Sequence, residues 1–459
     1  MADSDDKPGT VHENLKHEES IHEPIDPVIE RRLVWKIDLH VLPMVFVLHL
    51  LAFLDRINIG NARIQGMEKD LNMNGVHDCN IALLMFFILY ILLEPPSNLL
   101  MKKVKPSTWL SSIMFLWGVI TVCEGVTKSF TGLVVCRTFL GAFEAGFVPG
   151  KGRIEIDTLL AYLCRMLLSS LDVPFAYAIA NMDGVGGYGG WRWIFIIEGL
   201  ITIVLAMVGK WFIVDFPEQA KYLTLEEKAI VIRRLKDDIP EARMDTTFMY
   251  FGVVNSGYSV SFFTPTILGQ LGWTSIQAQL MNIPIYCVAA VVSIICAILS
   301  DHYRHRYGFT ILGCCVATIG YVLLLAQRHV DVGVRYFGMY LITTGGYITQ
   351  PMTLEWLSNN QAGHLKRSFS SAFQIGFGNI GEIVASNIYI TGQAPTYPVG
   401  FGVSLGLIWV TGIACTIFFV GIRMENKIRN HGGRGDRLSL PADEVNNLGD
   451  DHPNFRFIY

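Results

Sequence analysis

Several signatures are missing from this sequence. No N-x-[ST] sequon occurs, so no loop is marked as a glycan acceptor. The nine cysteines show no metal or redox spacing. They sit mostly inside apolar runs, with Cys314 and Cys315 adjacent, and read as small core residues. There is no H-E-x-x-H and no pair of aspartates at helix centres, which leaves intramembrane hydrolysis without support. No catalytic constellation is present, so neither an enzyme nor a cofactor or metal is expected. No secretory signal is read at the start. The first thirty or so residues are polar and acid-rich and read as a disordered cytosolic tail. Charge itself is scarce, at 17% of 459 residues against 51% hydrophobic. That balance excludes a soluble protein of this size and fits a polytopic membrane protein in contact with the lipid bilayer. The net charge of −4 decides little, because the charges are segregated by position; no nucleic-acid partner is expected.

What is present is a repeated pattern. Apolar runs of about 20 residues recur, each long enough to cross the hydrocarbon core. They lie near 36–56, 81–101, 108–126, 131–150, 158–181 and 193–214, then near 248–268, 280–300, 308–327, 335–355, 370–391 and 402–422. The expected organisation is a tail over 1–32, a first six-helix bundle over 33–214, a cytoplasmic linker over 215–246, a second bundle over 247–423 and a cytosolic tail over 424–459. Within the linker, Thr224 to Glu227 forms a capping box ahead of an apolar face at Ala229, Ile230, Val231, Ile232 and Leu235. Lys102, Lys103 and Lys105 follow the second run, and Arg304 and Arg306 follow the eighth. Lys366 and Arg367 follow the tenth, and Arg423, Lys427 and Arg429 follow the twelfth. The loops at 183–190, 270–277 and 392–400 carry no Lys or Arg. This bias places both termini and the linker in the cytoplasm. Trp191, Trp193 and Phe195 read as an interfacial belt on the opposite side.

The chain is organised around Arg137 to Gly150, RTFLGAFEAGFVPG, inside the fourth run. A helix turns about 100° per residue, so Arg137 and Glu144 share one face, roughly two turns apart. Each ionisable group at mid-membrane costs on the order of 3 kcal/mol on the lenient insertion scale. Two on one face imply a polar interior or a water-filled path; a structural ion pair locking two helices is the bland alternative. Gly146 and Gly150 form a small-xxx-small pair that admits a close neighbour. Asp55 and Arg56 end the first run, either as an interfacial stop or as part of one polar cluster with Arg137 and Glu144. Tyr90 and Glu94 precede Pro95 and Pro96 in the second run; the prolines predict a kink or weakening, and Tyr90 is the better pocket candidate.

Other polar features are less specific. GVGGYGG over Gly184 to Gly190 follows no strand and reads as an outer turn rather than a nucleotide loop. Asp301 to Arg306 reads as a helix-end charge cluster that either latches a gate or obeys the positive-inside bias. Asn255, Ser256, Tyr258 and Ser259 in the seventh run, and Gln374, Asn379, Glu382 and Asn387 in the eleventh, either pair helices or line a cavity. Of these, Tyr258, Gln374 and Asn379 are the candidates for substrate contact. Trp356, Asn359 and Asn360 read as interface anchors.

Twelve spans as six plus six around a central loop resemble an all-α major facilitator fold. LDRINIGNARIQGMEKDLNM, EPPSNLLMKKVKPSTWL, CRTFLGAFEAGFVPG, GWRWIFIIEG and SGYSVSFFTPTILGQLGW resemble the fungal anion:cation symporter branch, which includes allantoate, pantothenate and nicotinate permeases. NMDGVGGYGGWRW and GYSVSFFTPTIL are most similar to the nicotinate subgroup. The resemblance implies proton-coupled uptake of a small organic anion by a monomer at the plasma membrane, through alternating access. It implies proton carriage by Asp55 and Glu144, charge balance or gating by Arg56, attraction of the substrate carboxylate by Arg137, and a pocket position for Tyr90. A facilitative carrier, or a transporter-like nutrient sensor that binds without transporting, are the alternatives. The stretch 151–174 departs from the family pattern, which puts the fifth span in question.

Overall fold

The computed structural model describes residues 36, 47–48, 50–73, 75, 77–101, 104–146, 179, 182–212, 247–361, 370, 373–439 and 449–459. Among them the regular structure is helical, without strands. Helix α1 runs over 50–62 and continues through a π turn, Arg63–Met67, into Glu68–Asp70. Helices α2 (Asp78–Met101), α3 (Pro106–Val126), α4 (Phe130–Glu144) and α5 (Gly190–Phe212) complete the described first half. The second half holds α6 (Thr247–Gln270), α7 (Ser275–Tyr303), α8 (Arg306–Leu325) and α9 (Val332–Asn359). It closes with α10 (Ile380–Ile388), preceded by a helical stretch at 373–378, and α11 (Pro398–Asn430). These fall on the first four, the sixth and the last six expected spans. The expected fifth span except Ile179, the N-terminal tail, the linker helix and Gly150 lie outside the described residues.

Local sequence explains where several helices start. Pro106 sits in the first turn of α3, where its missing N–H costs nothing. Ser129 Oγ accepts from Gly132 N at 3.2 Å to begin α4. Thr274 and Gln277 form a reciprocal capping box ahead of α7. Pro95 and Pro96 do not end α2, which stays helical to Met101.

Among the described residues, five helices are long and apolar enough to cross a membrane: Ser107–Val126, Gly190–Trp211, Ser275–Tyr303, Arg306–Leu325 and Pro398–Asn430. Their outer faces expose large apolar side chains, such as Leu116, Leu200, Ile298, Ile319 and Ile417. Such faces suit lipid, and they leave the more polar α1, α2, α4, α6, α9 and α10 to form the interior. Glycine lets those inner helices touch. A Cβ on Gly141 of α4 would lie 2.1 Å from the Phe86 carbonyl oxygen of α2, and one on Gly252 of α6 would lie 1.9 Å from that of Leu407 in α11. A Cβ on Gly146 would meet Ser97 Oγ at 2.6 Å, so this glycine does mark a close neighbour.

The two halves are tied together at one end. Arg63 donates to Thr391 Oγ1 at 3.0 Å, and Ser275 Oγ to the Ile64 carbonyl at 2.7 Å. Asn80 Nδ2 donates to the Ser386 carbonyl at 2.7 Å, and Gly60 lies against the backbone of Phe262. At the opposite end of the second half, residues 449–459 fold back onto α8, α9 and α11. Asn426 brackets Phe457, donating to its carbonyl at 2.9 Å and accepting from its N–H at 3.0 Å. Asn360 brackets Ile458 in the same way, and Trp356 Nε1 donates to the Ile458 carbonyl at 2.9 Å. Two expectations about aromatic anchors are therefore corrected. Trp356 is fully buried beneath this returning segment rather than anchoring at an interface. Trp191 and Phe195 also point inward, with Trp191 Nε1 donating to Asp70 at 2.8 Å.

Candidate functional site

Adjacent helical residues diverge by about 100°, and this splits Asp55 from Arg56. Asp55 turns into the first half, where Trp117 Nε1 donates to its Oδ2. Arg56 turns toward the second half and becomes the hub of the central site. Its Nε lies 2.5 Å from Glu144 Oε1, and its Nη1 donates to the Tyr258 hydroxyl at 3.0 Å. The same Nη1 is 3.5 Å from Glu382 Oε1. The guanidinium carbon lies 4.4 Å from the Tyr90 ring centre and 5.5 Å from that of Phe86. One cation thus joins α1 and α4 of the first half to α6 and α10 of the second. Arg56 is 7% exposed, and Glu144, Glu382 and Tyr90 are at most 1%.

Arg137 belongs to a second cluster. Its Nη1 donates to the Asp55 carbonyl oxygen at 3.0 Å, its Nη2 lies 3.2 Å from Glu124 Oε2, and its guanidinium carbon sits 5.5 Å from the Phe195 ring centre. Arg137 and Glu144 are both buried on α4, as their spacing requires, but they serve different partners. Alongside, Asn58 Nδ2 donates to Glu198 of α5. Gln374 Nε2 reaches the Thr353 carbonyl at 3.5 Å, and Asn379 lies against Glu94 of α2. The structure therefore brings Arg56, Glu144, Tyr90 and Tyr258 together. It sets Asp55 and Arg137 in an adjoining cluster, and gives Gln374 and Asn379 no direct contact with Arg56.

Four participants escaped the sequence reading: Trp117, Glu124, Glu198 and the site role of Glu382. A carboxylate inside an apolar run was the available signal for Glu124 and Glu198. Trp117 carried none, because a tryptophan in a span is ordinary.

The remaining motifs resolve into structure. Gly184, Gly186 and Gly187 have φ of 83°, 66° and 80°, a left-handed turn leading into α5 and not a phosphate loop. Arg306 pairs with Asp301 and, at 2.8 Å, with Glu355, so this cluster ties α7, α8 and α9 within one half. Gly402, Ser404 and Gly406 have the G-x-S-x-G spacing, but they lie inside α11, where Ser404 Oγ donates to Asn255 Oδ1 at 3.3 Å. A nucleophile elbow needs a sharp strand-to-helix turn, which is absent there. Among the described residues no group of three or more His, Cys, Asp or Glu is placed to hold a metal.

Chemically, the centre is a guanidinium fork with carboxylates on both sides and an aromatic wall. Phe53, Phe87 and Phe262 have ring centres 6.5, 6.1 and 5.5 Å from that of Tyr258. A planar fork binds carboxylates with defined geometry, and aromatic walls receive flat rings.

Two groups of helices with apolar outer faces, joined across a buried arginine–carboxylate hub, define a multi-pass membrane protein. Residues 45–386 match the sequence profile of the Major Facilitator Superfamily, and the chain belongs to that family. It is 34% identical over 418 residues to the uncharacterized transporter C1002.16c of Schizosaccharomyces pombe, covering 84% of this chain and 83% of that one. It is 32% identical to the MFS-type transporter cnsO of Penicillium expansum, over 93% and 90% of the two chains. It is 28% identical to the high-affinity nicotinic acid transporter of Saccharomyces cerevisiae, over 96% and 87%. The fold matches that of a bacterial homologue of the human lysosomal transporter Spinster with a TM-score of 0.63, at 15% identity, covering 83% of this chain and 96% of that one. These relatives are transporters, and the chain is a transporter rather than an enzyme.

Proposed function

We propose that this transporter imports a small monocarboxylate together with protons, by alternating access, and that its substrate is a flat aromatic acid of the nicotinate type. The observation that carries this reading is the bridging Arg56. It is the one hub among the described residues where a cation of the first half meets both a hydroxyl and a carboxylate of the second. A substrate carboxylate would dock on Arg56, with its ring against Tyr258, Phe87 and Tyr90. Glu144, bonded to Arg56, and Asp55, held by Trp117, are the proton carriers of this scheme. Arg137 donates to the Asp55 carbonyl and pairs with Glu124, and in this scheme it draws the substrate carboxylate toward the site. Gln374 and Asn379 shape the second-half wall.

The remaining parts of the proposal follow from charge and pattern. The two halves, 33–214 and 247–423, rock about the central site as a monomer. The Lys/Arg bias supports cytoplasmic termini and linker, and the resemblance to fungal permeases supports the plasma membrane as the site of uptake. A yeast strain lacking its own uptake systems, expressing the chain, tests the reading with a panel of labelled vitamins and ureides. Nicotinate should accumulate, faster in acid medium than in neutral medium. Accumulation that ignores external pH would contradict proton coupling and point to a facilitative carrier. Binding without accumulation or exchange would point to a sensor.

A further inference from the structure

We propose that Glu124 is a positioning residue for the proton on Asp55: by holding Arg137, it keeps that cation off the Asp55 carboxylate. The inference rests on the reading of Asp55 as a proton carrier, and it leaves the roles of Asp55 and Glu144 as they stand. Glu124 comes from α3 and Arg137 from α4, and both are fully buried. Arg137 sits beside Asp55 of α1 but bonds only its backbone, Nη1 donating to the carbonyl oxygen at 3.0 Å. Its Nη2 is turned instead to Glu124, 3.2 Å from Oε2. The Asp55 carboxylate receives Trp117 Nε1 on Oδ2. Among the described residues, Asp55 Oδ1 accepts no hydrogen bond, and Arg137 Nε and Nη2 donate none. A guanidinium with unused donors thus lies next to a carboxylate with an unused acceptor. Buried groups left unmatched cost about 1–3 kcal/mol each, so the two are poised to join as soon as Glu124 releases Arg137.

The surrounding charges make the consequence specific. Asp55 faces Glu124 from α3 and Arg137 and Glu144 from α4. Arg56, its neighbour in α1, is engaged with Glu144. Glu124 faces Arg137, with Cys136 of α4 nearby. From α5, Arg192 donates to the carbonyls of Gly125 and Thr127, and Glu198 accepts from Asn58. Arg137 is therefore the cation that Asp55 and Glu124 share, and one cation compensates one carboxylate. A guanidinium set against an aspartate favours its ionised form by about 1–3 pH units. With Arg137 committed to Glu124, Asp55 is spared that pull and can take a proton from the medium. With Glu124 neutral, Arg137 would turn to the Asp55 carboxylate, which would then hold its proton only in more acid medium. Glu124 acts through Arg137 and itself carries neither proton nor substrate in this scheme.

Infrared difference spectra of the purified full-length protein in lipid nanodiscs, taken across a pH series, read the proton directly. The carboxylic acid band of Asp55 is the one missing from Asp55→Asn. Glu124→Gln should move the midpoint of that band to acid by about 1–3 pH units, the scale of an arginine gained by an aspartate. Glu124→Asp, which keeps the charge, should leave the midpoint close to that of wild type. A purely structural role for Glu124 would not move this midpoint in one direction and restore it with charge. A midpoint that stays in place or moves to alkaline pH in Glu124→Gln overturns the inference while leaving Asp55 as a proton carrier. Should Glu124→Gln not fold, Arg137→Gln combined with Glu124→Gln removes both buried charges together, and its midpoint should return toward wild type. A shift to acid of a full unit in the double variant overturns the inference, since no cation is then left to cause it. Spectra of wild type and Asp55→Asn that share every pH-dependent carboxylic acid band would overturn the carrier reading of Asp55, and this inference with it.

Discussion

The two halves bury different chemistry. The first half carries Asp55, Arg56, Glu124, Arg137, Glu144 and Glu198 in its interior, each at most 7% exposed. The second half is polar but mainly neutral at the same depth. Ser256 and Tyr321 share a hydrogen bond of 2.7 Å, Gln350 Nε2 donates to the Tyr250 hydroxyl at 3.1 Å, and Asn255 Nδ2 donates to the Gly381 carbonyl at 3.3 Å. Among the described residues its buried arginines, Arg306 and Arg429, sit at one end, where Arg306 meets Glu355 and Arg429 meets Glu425 and the returning segment. Glu382 is the exception, and it faces the first half. The contrast assigns fixed charge to one side and neutral hydrogen-bonding groups to the other, with Arg56 as the place where they meet.

Energetics sharpen that contrast. Removing one member of a buried ion pair strands its partner, at about 3–5 kcal/mol, whereas a neutral hydrogen bond is worth about 1 kcal/mol. The largest stability loss is expected for Arg137→Leu, which strands Glu124 beside Asp55. Thermal unfolding in detergent should show a loss of about 3–5 kcal/mol, and Arg137→Leu combined with Glu124→Leu should recover much of it. If the double variant is no more stable than the single one, the two are not partners. Intermediate losses are expected for Gly141→Ala and Gly252→Ala, because each added Cβ runs into a carbonyl of the neighbouring helix. Both should cost about 1–3 kcal/mol. Equal costs would show that the halves pack alike although they bury different groups. The smallest effect is expected for Ser256→Ala, about 1 kcal/mol in the same unfolding assay. A loss as large as that of Arg137→Leu would erase the distinction between the halves.

The fold was largely legible in the sequence. The spacing of apolar runs placed helices α1 to α4 and α5 to α11 on expected spans, and the major facilitator resemblance agreed with the family match. The site was legible in its residues but not in its pairings. Charges within apolar runs marked Asp55, Arg56, Arg137 and Glu144 as costly and therefore purposeful. Which cation met which carboxylate depended on rotation about each helix axis and on the approach of α3 and α10, neither of which local spacing encodes. Arg137 and Glu144 share a face of α4, yet Glu124 arrives from α3 to claim the first and Arg56 from α1 to claim the second. Trp356 shows the same limit. Its position near a helix end suggested an interface, and only the return of residues 455–459 buried it.

Counterflow of labelled nicotinate in proteoliposomes tests the central claim, that Arg56 anchors the substrate carboxylate between the halves. Wild type should exchange internal unlabelled for external labelled nicotinate. Arg56→Gln, reconstituted to the same density and eluting as a folded protein, should exchange at no more than about one hundredth of that rate, the scale set by losing a charge-assisted pair of about 3 kcal/mol. Exchange by Arg56→Gln at the wild-type rate would contradict the account.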